Sequence, residues 1–124
     1  MTDALVAFLK ARLDDDERVA RACAGDGTWT VEDLEVYASD LSDDVRTQAA
    51  RQDPARTLRE VEAKRQLLDE HPDVNDGSCG TCVDGKWGYP THGGSSPQPY
   101  PCRTLRLLAL PYSDHPGYEK AWRP

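Results

Sequence analysis

Four cysteines and three histidines hold most of the chemistry open to this chain. Cys79-Gly80-Thr81-Cys82 has the shape of a zinc knuckle. Two intervening residues let both thiolates reach one ion, and a glycine eases the tight turn. Nineteen residues separate Cys82 from Cys102, which directly precedes an apolar run. A helix starting there offers free N–H groups to the sulfur and favours its thiolate. Cys79, Cys82 and Cys102 therefore read as three ligands of one structural Zn2+. The fourth is read as His71, eight residues before Cys79 at the end of a predicted helix, with His92 in the intervening loop as the alternative. Cys23 falls on the apolar face of the first helix and reads as a core thiol. Three cysteines and one histidine complete a tetrahedron and leave no open position, so the metal is expected to be structural rather than catalytic. Two further readings of these cysteines stay open: a redox pair, although that motif normally opens a helix after a strand, and unligated thiols.

Other catalytic patterns are sparse. His115, between Asp114 and Pro116, fits a capped turn better than an acid–base group, since no placed partner accompanies it. Asp14-Asp15-Asp16-Glu17 lies on a helix without calcium-loop spacing and reads as a solvated face. No phosphate loop, dinucleotide fingerprint or nucleophile elbow is present. Trp87, Tyr89 and Tyr100 either form a recognition surface or pack around the metal.

These residues need elements to position them. Leu5, Phe8, Leu9, Leu13, Val19, Ala20 and Cys23 recur at the helical period, predicting an amphipathic helix over 3–24. Thr2 or Asp3 caps its start, and Gly25-Asp26-Gly27 ends it. Rough alternation in Thr28–Val31 and Leu34–Tyr37 predicts two short strands, paired as a hairpin. Ser42 caps a short helix over 41–51. Asp53 as N-cap and Pro54 at the first helical position open a long helix that Pro72 stops near His71. Leu58, Val61 and Leu68 are its buried stripe, and Glu60 with Lys64 is a favourable pair one turn apart. Residues 72–101 are rich in Gly and Pro and predict a long loop that a metal must order. Residues 104–110 are helix or buried strand; so short a run does not separate the two. A helical turn or two ends the chain near Trp122.

The 124 residues fit one domain, with a helical and hairpin part at about 1–71 and a metal-ordered loop and C-terminal helices at about 72–124. Only 38% of residues are hydrophobic and the mean hydropathy is -0.72, so the core is thin and a cross-link matters. The net charge of -7 disfavours direct binding to nucleic acid phosphates. It suits a soluble protein, or one that meets a basic partner. No apolar run reaches the roughly 20 residues of a membrane span. The start lacks the basic region of a signal peptide, so a cytoplasmic, reducing location is expected.

Two stretches resemble a known pattern. Gln52 to Arg65 (QDPARTLREVEAKR) resembles HDPARVLREVEAKR, and Cys102 to Tyr118 (CRTLRLLALPYSDHPGY) resembles CPTLRLLALPYADHPDY. Leu5 to Asp16 is similar to the first helix of the same group. It is a family of small, uncharacterised proteins of actinobacteria and their phages. The likeness spans most of the chain outside 25–50 and the central loop. It implies no activity, because the family is of unknown function. It also implies that a metal is not universal, since some members lack the cysteine pair. Gln52 stands where the pattern has His.

The combined expectation is a mainly α domain with a short β-hairpin and a zinc-stapled Gly/Pro-rich loop. Its expected role is a non-enzymatic, zinc-stabilised interaction or regulatory module. Two alternatives stand beside it: a small metal-dependent enzyme or accessory protein, and an acidic regulator that mimics or modulates nucleic-acid binding. An unidentified protein partner and an oligomer both fit the composition, and no membrane association is expected.

Overall fold

In the computed structural model, residues 3–23, 25–75, 77–84 and 96–124 are described. Among them the chain is mainly helical, with five α-helices and a small antiparallel sheet. The order is α1 (Ala4–Ala22), α2 (Val31–Tyr37), α3 (Asp43–Arg51), α4 (Pro54–Glu70), β1 (Asp73–Val74), β2 (Ser78–Asp84), β3 (Ser96–Pro99) and α5 (Arg103–Ala109). Short 3-10 turns follow at Leu110–Tyr112 and Lys120–Trp122. The chain packs as two compact units, one of residues 13–63 and one of residues 1–12 with 64–124.

Caps explain most boundaries in the 13–63 unit. Ser42 accepts the Val45 N–H at the start of α3, as its side-chain chemistry predicts. Asp53 does more than cap α4. One carboxylate oxygen accepts the Arg56 N–H at 2.8 Å, and the other accepts the Trp29 N–H at 3.1 Å. The loop before α2 is thus tied to the start of α4. Gly27 is needed beside this tie. It has a φ of 81°, its carbonyl accepts the Ala55 N–H, and an added Cβ would lie 3.3 Å from that of Pro54. Val61 is buried and Leu58 half-buried on α4. Glu60 pairs with Arg56 at 3.0 Å rather than with Lys64.

The hairpin predicted at 28–37 is instead helix α2. Thr30 accepts the Asp33 N–H while the Asp33 carboxylate accepts the Thr30 N–H. This reciprocal capping box nucleates a helix, and it outweighs the alternation of Thr, Val and aromatic residues. β-Structure occurs elsewhere, in the segment predicted to be a loop.

The other unit packs around Leu5, Leu9 and Leu105, all essentially inaccessible to water. Burying each contributes about 2 kcal/mol. Asp3 accepts the Leu5 N–H at 2.8 Å and caps α1; Thr2 lies outside the described residues. Phe8 anchors an aromatic cluster with Tyr112, His115, Tyr118 and Trp122 at centroid distances of 5.1–6.4 Å. Lys64 lies over the Tyr112 ring at 5.4 Å. Residues 104–110 are settled as helix: α5 buries Leu105 and Ala109, one turn apart, on a single face. In the sheet, β2 lies between β1 and β3. At Gly80, β2 comes so close to Pro72 that an added Cβ would meet its ring at 3.0 Å.

Two outcomes follow from these contacts. Asp53→Ala is expected to lower the thermal midpoint by about 4–8 °C, because it orphans two backbone donors. The N–H of Arg56, then that of Trp29, hold the Asp53 carboxyl below its ordinary value, against the opposing effect of burial. As pH falls, the unfolded chain therefore takes up this proton first. The stability that Asp53 contributes is complete above the ordinary carboxylate range and is lost as pH drops through the lowered folded value. Acid titration of stability should be shallower in Asp53→Asn than in wild type. Gly80→Ala should lower the midpoint by several degrees with the helices intact by circular dichroism.

Candidate metal centre

Three elements, the end of α4, the strand β2 and the start of α5, bring together a four-residue cluster. His71 follows the last residue of α4, where Pro72 ends the helix and turns the chain into β1. Cys79 and Cys82 lie on β2. The register there jumps: Ser78 pairs with Pro99 and Val83 with Pro97, so extra residues of β2 bulge out between them. The CxxC motif is that bulge. It sits on a strand, not in the open loop predicted for it, and not at a helix start as a redox pair would. Cys102 is the N-cap residue of α5.

The geometry converges on one atom. His71 Nδ1 lies 3.4 Å from the sulfur of Cys79, 3.4 Å from that of Cys82 and 3.6 Å from that of Cys102. All four donor atoms fall within 4.8 Å of one another. One imidazole nitrogen can make a single hydrogen bond along its lone pair or N–H, so hydrogen bonding does not account for three sulfurs around it. A tetrahedral ion does. Metal bonds of 2.3 Å to sulfur and 2.0–2.1 Å to nitrogen put neighbouring S and N atoms about 3.6 Å apart. The donor set, three thiols and an imidazole, is that of a closed site for a borderline-soft ion. The cluster fits a metal ion on both distance and chemistry.

Burial and hydrogen bonding set the thiols against each other. Cys102 is fully buried, and this burial is the main reason its pKa is pushed up to about 12. The Leu105 N–H opposes the rise, while Cys79 and Cys82 add to it. The expected lowering by the helix start is therefore overridden; α5 spans only seven residues. Burial raises Cys79 too, but the N–H groups of Thr81 and Cys82, then His71 and Cys102, outweigh it and bring the thiol to about 7. Those two N–H groups point at the Cys79 sulfur from 3.5 and 3.4 Å, as amides around a metal-bound thiolate do. Thr104 and Thr81 are partners that spacing did not single out. The Thr104 hydroxyl lies 3.7 Å from the Cys82 sulfur, and the Thr81 hydroxyl donates to the Glu70 carbonyl. The second contact ties the knuckle to the end of α4.

Other sequence candidates fall elsewhere. Cys23 is outside the cluster and its thiol donates to the Val19 carbonyl. His92, Trp87 and Tyr89 lie outside the described residues. Tyr100 is half-buried, and its phenol is pushed up to about 12, first by burial. His115 packs edge-on against Phe8 and its Nδ1 accepts the Gly117 N–H at 2.9 Å, so packing and a turn occupy it. In the acidic run of α1, Asp15 and Glu17 pair with Arg18 and Arg21.

Among the described residues, no helix is long and apolar enough to cross a membrane. No curated protein matches the chain, and no solved structure does. A family model matches residues 2–124, and the chain belongs to that family of unknown function, DUF6221.

Proposed function

We propose that this protein is a non-enzymatic interaction module stabilised by one Zn2+, held by Cys79, Cys82, Cys102 and Nδ1 of His71. The observation that carries this reading is the convergence of three sulfurs on one imidazole nitrogen at 3.4–3.6 Å. Zinc suits the set because it accepts mixed S and N ligands without geometric demands of its own. A dication also stabilises the thiolates that burial opposes, Cys102 most of all. Four protein ligands leave the ion no position for substrate, so its role is to staple α4, β2 and α5. The interaction role rests on the closed shell and on the acidic charge of the chain.

Native mass spectrometry of protein purified without added metal is expected to find one zinc per chain, lost on acid denaturation. Cys79→Ser, Cys82→Ser, Cys102→Ser and His71→Ala should each release the ion and lower the thermal midpoint by about 10 °C or more. Cys23→Ser and His92→Ala should keep it. Full metal content in the first four variants would sink the assignment. Cobalt exchanged into the site should give a tetrahedral visible spectrum that added azide leaves unchanged. A spectrum that shifts with azide would mean an open position and would favour the enzyme alternative.

A further inference from the structure

The excess charge of the chain lies entirely in one segment. Seven of its 22 acidic residues, from Asp26 to Asp44, fall within residues 25–45, which contain no Lys or Arg. The remaining fifteen are matched by the fifteen Lys and Arg found elsewhere. The net charge of -7 is thus a local property of this stretch. The same stretch holds α2 and the start of α3, and neither helix buries any residue. Val36 and Tyr37 are 76% and 87% exposed, and Leu41 and Val45 are exposed as well. Beside them runs a groove of about 560 Å3, lined by Trp29, Leu34, Tyr37, Thr28 and Cys23.

Helices this short are marginal without an apolar face to bury. Here the apolar side chains are present and face water. Some of the carboxylates are already used: Asp33 closes the capping box, Asp26 accepts the Thr28 N–H, and Asp43 pairs with Arg46. Among the described residues, no ion pair engages Glu32, Glu35, Asp40 or Asp44, and all four are exposed. The result is an apolar groove and an exposed helix face within a segment that carries uncompensated negative charge.

Charge complementarity selects the occupant. A second copy would bring two such segments together, with no cation in either. Nucleic acid and anionic lipid headgroups carry the same sign as the segment. A segment with large apolar side chains on one face and Lys or Arg on its flanks satisfies both features, as helix-in-groove recognition does. The geometry points to the groove at Trp29, Leu34 and Tyr37, with the exposed face of α2, as a docking site for a basic amphipathic helix of a partner protein. This deepens the interaction-module reading and rests on it.

The test uses the full chain and two synthetic fluorescent peptides, read by anisotropy. One is a leucine–lysine peptide with helical periodicity. The other has the same composition in an order that destroys the periodicity. The periodic peptide should bind about tenfold more tightly or better. The double variant Val36→Ser with Tyr37→Ser should weaken it about tenfold, with the melting midpoint and metal content unchanged. Glu32→Gln with Glu35→Gln should weaken it and flatten its salt dependence. Equal affinity for the two peptides, or a double variant that binds as wild type does, overturns the proposal. So does sedimentation showing a dimer that the Val36/Tyr37 variant abolishes, since a second copy would then be the occupant. Zinc is measured in the same samples. Zinc-loaded protein that does not distinguish the peptides refutes the docking site alone. Peptide discrimination by protein without zinc refutes the metal reading alone.

Discussion

Three sulfurs around one imidazole nitrogen are the contact on which the C-terminal half of this chain depends. They join the end of α4, the bulge of β2 and the first turn of α5, and His71 and Cys102 are 31 residues apart in sequence. Burying three such polar groups and half-burying a fourth is unfavourable unless each finds a partner of matching strength. Neutral thiols are weak donors and weak acceptors, so they supply little of that compensation to one another. An ion at their centre would supply all of it. The strands depend on the same point. β1 spans two residues and β3 four, and the Ser, Pro and Gln of β3 have little intrinsic preference for a sheet. Pairs this short have no independent stability. Their order follows from being clamped between His71 and Cys102.

The aromatic cluster around Phe8 serves the same unit in a different way. It gathers rings from the last part of the chain onto one α1 side chain, while Leu5, Leu9 and Leu105 fill the remaining core. Among the described residues few large side chains are fully buried, as a mean hydropathy of -0.72 implies. With so little apolar area, a cross-link contributes a larger share of stability than it would in a richer core.

What could be read from residue order divides along physical lines. Helix starts were legible where a cap residue has one conformation to favour: Asp3, Ser42, and above all Asp53 with Pro54. The three cysteines were legible because metal coordination restricts residue type and spacing severely, but spacing left His71 and His92 both open as the fourth residue, and only the fold brings His71 to the sulfurs. Three features were not legible. The Thr30–Asp33 capping box lay inside an alternating pattern, and a local hydrogen-bond pair prevailed over side-chain periodicity. The sheet has no apolar alternation to announce it, because tertiary contacts at the knuckle create it. The rise in the Cys102 pKa depends on burial, which sequence does not reveal, whereas the opposing helix start was visible.

The 13–63 unit uses other means of order. Its α2 and α3 are specified at their ends, by Thr30 with Asp33 and by Ser42, and hold no fully buried residue between. Caps contribute about 1 kcal/mol each. That is enough to choose a helix over a strand but well short of the order that a packed face provides. The Arg46 guanidinium, which bonds the carbonyls of Ala38 and Leu41 and the Asp43 carboxylate, holds the link between the two helices. Seven carboxylates in 21 residues then work against local compactness, because like charges in one short stretch repel. Cationic groups brought to that stretch would remove the repulsion, and apolar groups brought to α2 would supply the missing burial. A single basic, amphipathic surface provides both, so the two deficits of this segment have one common remedy.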